Sequence, residues 1–137
     1  MSIISIKAIV DVVAVLSNNT LEKNLYLMDN NKLNGSDKEG TANLETAIEK
    51  GDELVWSAFG LEVESYVEIN TIKVNKTYVT QPVKSYYDGT NIPFWTATVL
   101  KAPAKKLGYT IDFNVGDTKT VFSVTNGPSI KSIIKKK

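Results

Sequence analysis

"LGYTIDFNV", Leu107 to Val115, alternates without a fault. Leu107, Tyr109, Ile111, Phe113 and Val115 fall on one side, and Gly108, Thr110, Asp112 and Asn114 on the other. Successive side chains of an extended chain point to opposite faces, so this is a strand with one face buried. Gly116-Asp117 then supplies a hairpin turn into "TKTVFSVT". The same period recurs along the chain. Every even position from Ile4 to Leu16 is apolar, which predicts a long strand there. "SNNT" turns the chain, and residues 21–28 form a second strand. Trp95, Ala97 and Val99 share a face of another, after the turn-rich "YYDGTNIP". Between Tyr66 and Asn75 the alternation slips by one residue near Asn70-Thr71, which requires a β-bulge or a bend between sheets. Residues 41–50 fit a short helix ended by Gly51 or a strand; their neighbours are strands, and we read strand. About eight or nine short strands with turns between them give an all-β fold. The expected architecture is one domain over residues 1–137, an antiparallel β-sandwich of jelly-roll or immunoglobulin-like type.

Composition narrows the chemistry. The chain has 137 residues, enough for one domain with a sizeable core. Its net charge of +1 provides no field to steer an acidic partner. All 16 basic residues are Lys. Without Arg there is no bidentate fork for phosphate or guanine, so nucleic acid is not an expected partner. The absence of Cys removes disulfides and thiolate chemistry; the absence of His removes the usual general base and metal ligand. The apolar N-terminus carries Lys7 and Asp11 and has neither a basic leader nor a small-residue cleavage site. It reads as a buried strand, not an export signal or a membrane span, and the expected location is the cytoplasm. The closing "KSIIKKK" reads as a solvated charge run.

Three kinds of site are open. Catalysis lacks support: no His stands ready to activate a Ser, GxSxG is absent, and Glu62, Glu64 and Glu68 have the spacing of strand surface. The expectation is that the protein is not an enzyme. A cation would have to be hard, with Ca²⁺ the candidate and Asp29, Asn31, Asp37 and Glu39 the candidate ligands. The EF-hand spacing fails, and Asp and Asn also gather in turns for local backbone bonding. A glycan needs carboxylates and amides for its hydroxyls and an aromatic face. Asp29, Asn31 and Asp37 in one loop, and Tyr86, Tyr87, Asp88 and Asn91 in another, are the candidate ligand residues. Trp56 and Trp95 alternate with aliphatics and read as core. Self-association is the third reading: a sandwich has edge strands, and low net charge favours close packing into a homodimer or larger assembly.

Several stretches together resemble the AidA/PixA family of bacterial inclusion-body proteins. They are "IVDVVAVL" (9–16), "NLYLMDNN" (24–31), "GS" (35–36), "EGT" (39–41), Leu44-x-Thr46 and "GDELVW" (51–56), then Trp95-x-Ala97-x-Val99 and "GYTIDF" (108–113). The resemblance implies a small β-rich protein that accumulates in quantity, in inclusions or released, in bacteria living with hosts. It implies no enzyme activity. Two departures stand out: "NGPSI" replaces an Asp-Pro strand near the C-terminus, and only Met1 and Met28 are present where inclusion-forming relatives are methionine-rich. The second argues against amino-acid storage.

Overall fold

The computed structural model describes residues 2–133; the lysine-rich end from residue 134 lies outside them. The described chain forms eleven strands and one short α-helix. In chain order they are β1 (Ile3–Val10), α1 (Val12–Asn18), β2 (Leu25–Asp29), β3 (Glu45–Ile48), β4 (Glu53–Gly60), β5 (Val67–Lys73), β6 (Val83–Tyr86), β7 (Pro93–Thr98), β8 (Leu107–Gly108), β9 (Thr110–Val115), β10 (Val121–Phe122) and β11 (Ser129–Ser132). The fold is all-β and sandwich-like. A five-stranded sheet in the order β2-β1-β4-β7-β6 stands against two three-stranded sheets, β10-β9-β5 and β3-β11-β8. The two-residue strands β8 and β10 account for the excess over eight or nine.

Alternation decides what the five-stranded sheet buries. Ile4, Ile6, Ala8 and Val10 of β1 point inward beside Leu54 and Trp56 of β4 and Leu25 and Leu27 of β2. Ile69, Ile72, Ile111, Phe113, Val115, Leu44, Ile48 and Ile130 close the core from the smaller sheets. Trp56 is 1% exposed. Its indole N–H donates to the Tyr109 hydroxyl at 3.1 Å, with the rings edge to face at 5.9 Å. A buried indole keeps its hydrogen bond, and burial pushes the Tyr109 phenol well up.

Two expectations hold in detail. The β5–β9 register shifts between Ile69 and Thr71. Asn70 fills the bulge by donating to the Asn114 carboxamide at 3.1 Å, whose own NH₂ caps Thr118 and Thr120 in the β9–β10 turn. Residues 45–48 form a strand, as read.

Two others are corrected. The long strand from Ile4 to Leu16 ends at Val10, where Asp11 starts a helix instead. The Asp11 carboxylate accepts from Ala14 N–H at 3.1 Å, and Glu62 accepts from Val12 and Val13 N–H at 3.0 and 3.3 Å. Donors that a strand would pair are thus capped by side chains. Asn19, in the left-handed region at φ 52°, ends the helix. Pairing is also not uniformly antiparallel: β1 lies parallel to β4, and β3 parallel to β11. Parallel neighbours need long crossovers, and both pairs span distant parts of the chain. Among the described residues no helix is long and apolar enough to cross a membrane.

Among the described residues no further sheet lies over the outward face of the five-stranded sheet. Its rows carry Tyr26, Met28, Val55, Phe59, Phe94 and Val83 among Ser and Thr, and two charges, Lys7 and Glu53. Tyr26, Met28, Phe59 and Val83 are exposed.

Candidate functional site

The Asp/Asn loop turns most of its oxygens onto itself. Asp29 ends β2; one carboxylate oxygen accepts from Asn31 N–H at 2.9 Å and the other from the Thr46 hydroxyl at 2.8 Å. Asn31, buried, donates to the Ala47 carbonyl at 2.6 Å and accepts from the Asn34 amide at 2.7 Å. Asp37 accepts from Lys38 N–H at 2.8 Å, while its backbone pairs with Glu45. Glu39 accepts from Asp29 N–H at 2.8 Å, and its second oxygen is buried without a partner. Burial, with the neighbouring Asp29 carboxylate, pushes the Glu39 carboxyl up. Among the described residues no three acidic side chains gather closely enough to share a cation. Of the candidate Ca²⁺ ligands, Asp29, Asn31 and Glu39 are joined by these hydrogen bonds, while Asp37 turns to Lys38 N–H and the backbone of Glu45. Turn chemistry and the neighbouring strand share these groups: Asp29, Asn31 and Asp37 each have a partner within three residues, and Asp29 and Asn31 also reach Thr46 and Ala47 of β3.

The 86–91 loop joins β6 to β7. Tyr87 stacks on Phe94 with ring centroids 4.6 Å apart, and Tyr86 is exposed with Lys84 Nζ 5.5 Å from its ring centre. Asp88 is exposed at the tip. Strand order decides whether this loop can meet the first. β2 and β6 are opposite edges of the sheet, four strand steps or about 19 Å apart. β2 runs antiparallel to β1; Asp29 pairs with Ile6, and the loop leaves from there toward the start of β1, where Asn30 bonds Ile3 and Ser5. β6 runs in the direction of β4 and β1, so Tyr86 lies where they end. The two loops occupy opposite corners and do not form one site.

Of the candidate residues, Asn91 lines a cleft. A cavity of about 140 Å³ opens between the inner side of the five-stranded sheet and β5, lined by Ala58, Tyr66, Val67, Glu68, Ile69, Asn91, Pro93 and Trp95. The Tyr66 hydroxyl donates to Glu68 at 2.8 Å, and Lys84 pairs with the other Glu68 oxygen. Burial pushes Glu68 up, but Lys84 and Tyr66 outweigh it and hold the carboxyl below its usual range. Glu68 in turn holds the Lys84 ammonium above its usual range. Burial and the Glu68 charge push the Tyr66 phenol up to about 12. Trp95 packs against the core, as expected, yet its indole N–H is buried with no acceptor. This arrangement offers hydrogen bonds and an aromatic wall with its charges already neutralised. It suits a small polar, uncharged ligand better than an ion. Tyr66, Glu68 and Lys84 were not legible as a group. Tyr66-x-Glu68 shows a shared strand face, but Lys84 arrives from a strand across the cleft.

A second charged cluster surrounds Glu45. Lys106, Lys38 and Lys131 approach its carboxylate at 3.1, 3.2 and 3.4 Å. They hold its pKa down to about 2. These four residues tie the Asp/Asn loop to β3, β11 and the segment before β8. Two further carboxylates have structural duties: Glu62 caps α1, and Glu53 accepts from the Thr98 hydroxyl at 2.6 Å.

A solved structure of the inclusion body protein PixA from Burkholderia cenocepacia J2315 is similar to this one, with a TM-score of 0.67 over 96% of this chain and 94% of that chain. The two are 12% identical, so the likeness is one of fold. No curated protein matches the sequence. The model of a protein family described as a domain of unknown function (DUF8788) matches residues 2–120, and the chain belongs to that family.

Proposed function

We propose that this chain is a non-catalytic, self-assembling protein of the inclusion-body type, accumulating in the cytoplasm and acting in host association. The observation that carries the reading is the uncovered outer face of the five-stranded sheet, rich in exposed Tyr, Met, Phe and Val on a molecule of net charge +1. Exposed apolar area of this kind marks interaction surfaces, and near-neutrality leaves little repulsion between copies. The likeness in fold to an inclusion body protein over 96% of the chain supports it, as do the family-like stretches between Tyr26 and Trp56. Sedimentation velocity of the purified protein, from low micromolar to millimolar, tests the reading. Concentration-dependent association is expected; a monomer throughout would overturn it.

A lectin-like reading rests on the cleft of Tyr66, Glu68, Asn91 and Trp95 rather than on the Asp/Asn loop. Its aromatic wall favours a sugar's C–H face, and Asn91 and Glu68 supply polar groups for its hydroxyls. A glycan array, run with Ca²⁺ and with a chelator, tests it. Binding lost on Asn91→Ala would support the cleft, whereas no binding under either condition would remove the reading.

A further inference from the structure

We propose that two copies of this chain pack outer face to outer face about a two-fold axis that crosses the strands at Ser5 and Val55, joining Lys7 of each to Glu53 of the other. The inference rests on the self-assembly reading above and names the surface and geometry that serve it.

Lys7 and Glu53 are the only charges among the outward positions of the five strands. Neither belongs to an ion pair among the described residues. Each is held in place by neutral groups. Lys7 Nζ donates to Ser57 Oγ at 3.1 Å and sits 5.4 Å from the Phe59 ring centre, and Glu53 accepts from Thr98. An exposed sheet face that stays in water is ordinarily studded with charges; this one carries apolar and hydroxyl side chains around two fixed charges of opposite sign.

Their placement is self-complementary. β1 and β4 are neighbours in parallel register, with Ile3 beside Glu53 and Lys7 beside Ser57. Lys7 and Glu53 are thus one strand step apart sideways and four residues, about 13 Å, apart along the strands. The row midway between them is Ser5 beside Val55. A two-fold axis lying between two stacked sheets along that row reverses position along the strands and preserves position across them. It brings the partner's Lys7 above this chain's Ile3, next to Glu53, and makes the same pair a second time. Sheets stack about 10 Å apart, a gap that a Lys and a Glu side chain span together. The same rotation lays the apolar rows of Phe59 and Phe94 over the partner's opposite end of the sheet, where Ile3 and Leu100 are exposed. The face measures roughly 500 Å² in plan, at the low end for specific association, so the expected dimer is weak and needs abundant protein.

The test uses Lys7→Glu, Glu53→Lys, the double variant, and a mixture of the two single variants, each checked by circular dichroism for an intact fold. Sedimentation equilibrium reads the dimerisation constant. Each single variant is expected to dimerise at least about tenfold more weakly than the native chain, because it faces like charges twice. The double variant should recover native dimerisation. The mixture should form a heterodimer although neither component associates alone. A dimer indifferent to both reversals would overturn this interface and leave self-assembly through another surface, such as the free edge of β6. A native chain that is monomeric at every concentration would overturn both. Intact single variants whose association is weakened but not recovered in the double variant or the mixture would overturn the pairing.

Discussion

Asp29 divides its carboxylate between two duties, fixing the start of its loop through Asn31 N–H and tying β2 to β3 through the fully buried Thr46 hydroxyl. Removing it strands both donors, at a cost of roughly 1–3 kcal/mol for a buried unsatisfied group. Asp29→Ala is therefore expected to lower the urea midpoint clearly; an unchanged midpoint would free Asp29 for ligand binding after all. Glu45 is the second residue whose duty is measurable. Its folded pKa of about 2 lies below its ordinary value of 4.5, so its contribution is full above pH 4.5 and fades as pH falls toward 2. Glu45→Gln should reduce stability near neutrality and flatten the loss across that acid window, as read by denaturation at a series of pH values. The density of Asp and Asn from 29 to 37 announced a turn-rich loop plainly enough. Which oxygen meets which donor depends on β3 lying alongside, and no local spacing encodes that.

Among the elements, α1 shows where periodicity misleads. "VVAVL" is apolar at every position and carries three β-branched Val, so it reads as a continuation of β1, yet it forms a helix over residues 12–18. So short a helix is set by its ends rather than by propensity. Asp11 supplies a cap from within the segment, which was legible; Glu62 supplies the other from 50 positions away, which was not. Glu62→Ala is expected to cost about 1 kcal/mol and to speed hydrogen exchange at the Val12 and Val13 amides above all. Unchanged exchange there would assign helix formation to packing of Val12 and Val15 alone. The bulge in β5 is the opposite case. A one-residue phase slip is a purely local signal, and the register breaks where the slip lies.

At the scale of the whole molecule, alternation identified a β-rich fold because burying one face of each strand is a local demand. Strand order is not local. Nothing in the residues of β1 says that its neighbours are β2 and β4, or that β2 and β6 end as opposite edges. Which of the two candidate loops could meet was for that reason not legible in the chain. The parallel pairing of β3 with β11 carries a further consequence, in time rather than space. Lys131 and Glu45, which pair across these strands, are 86 positions apart. At roughly 5–20 residues per second of synthesis, β3 waits on the order of 4–17 s before its neighbour has been made. Throughout that interval a nascent chain presents an open strand edge beside the side chains of Thr46, Ala47 and Ile48, all of them buried in the finished protein. In that interval the edge is open to the β11 of another copy as well as to its own, so fast, abundant synthesis raises the chance of strand exchange between copies.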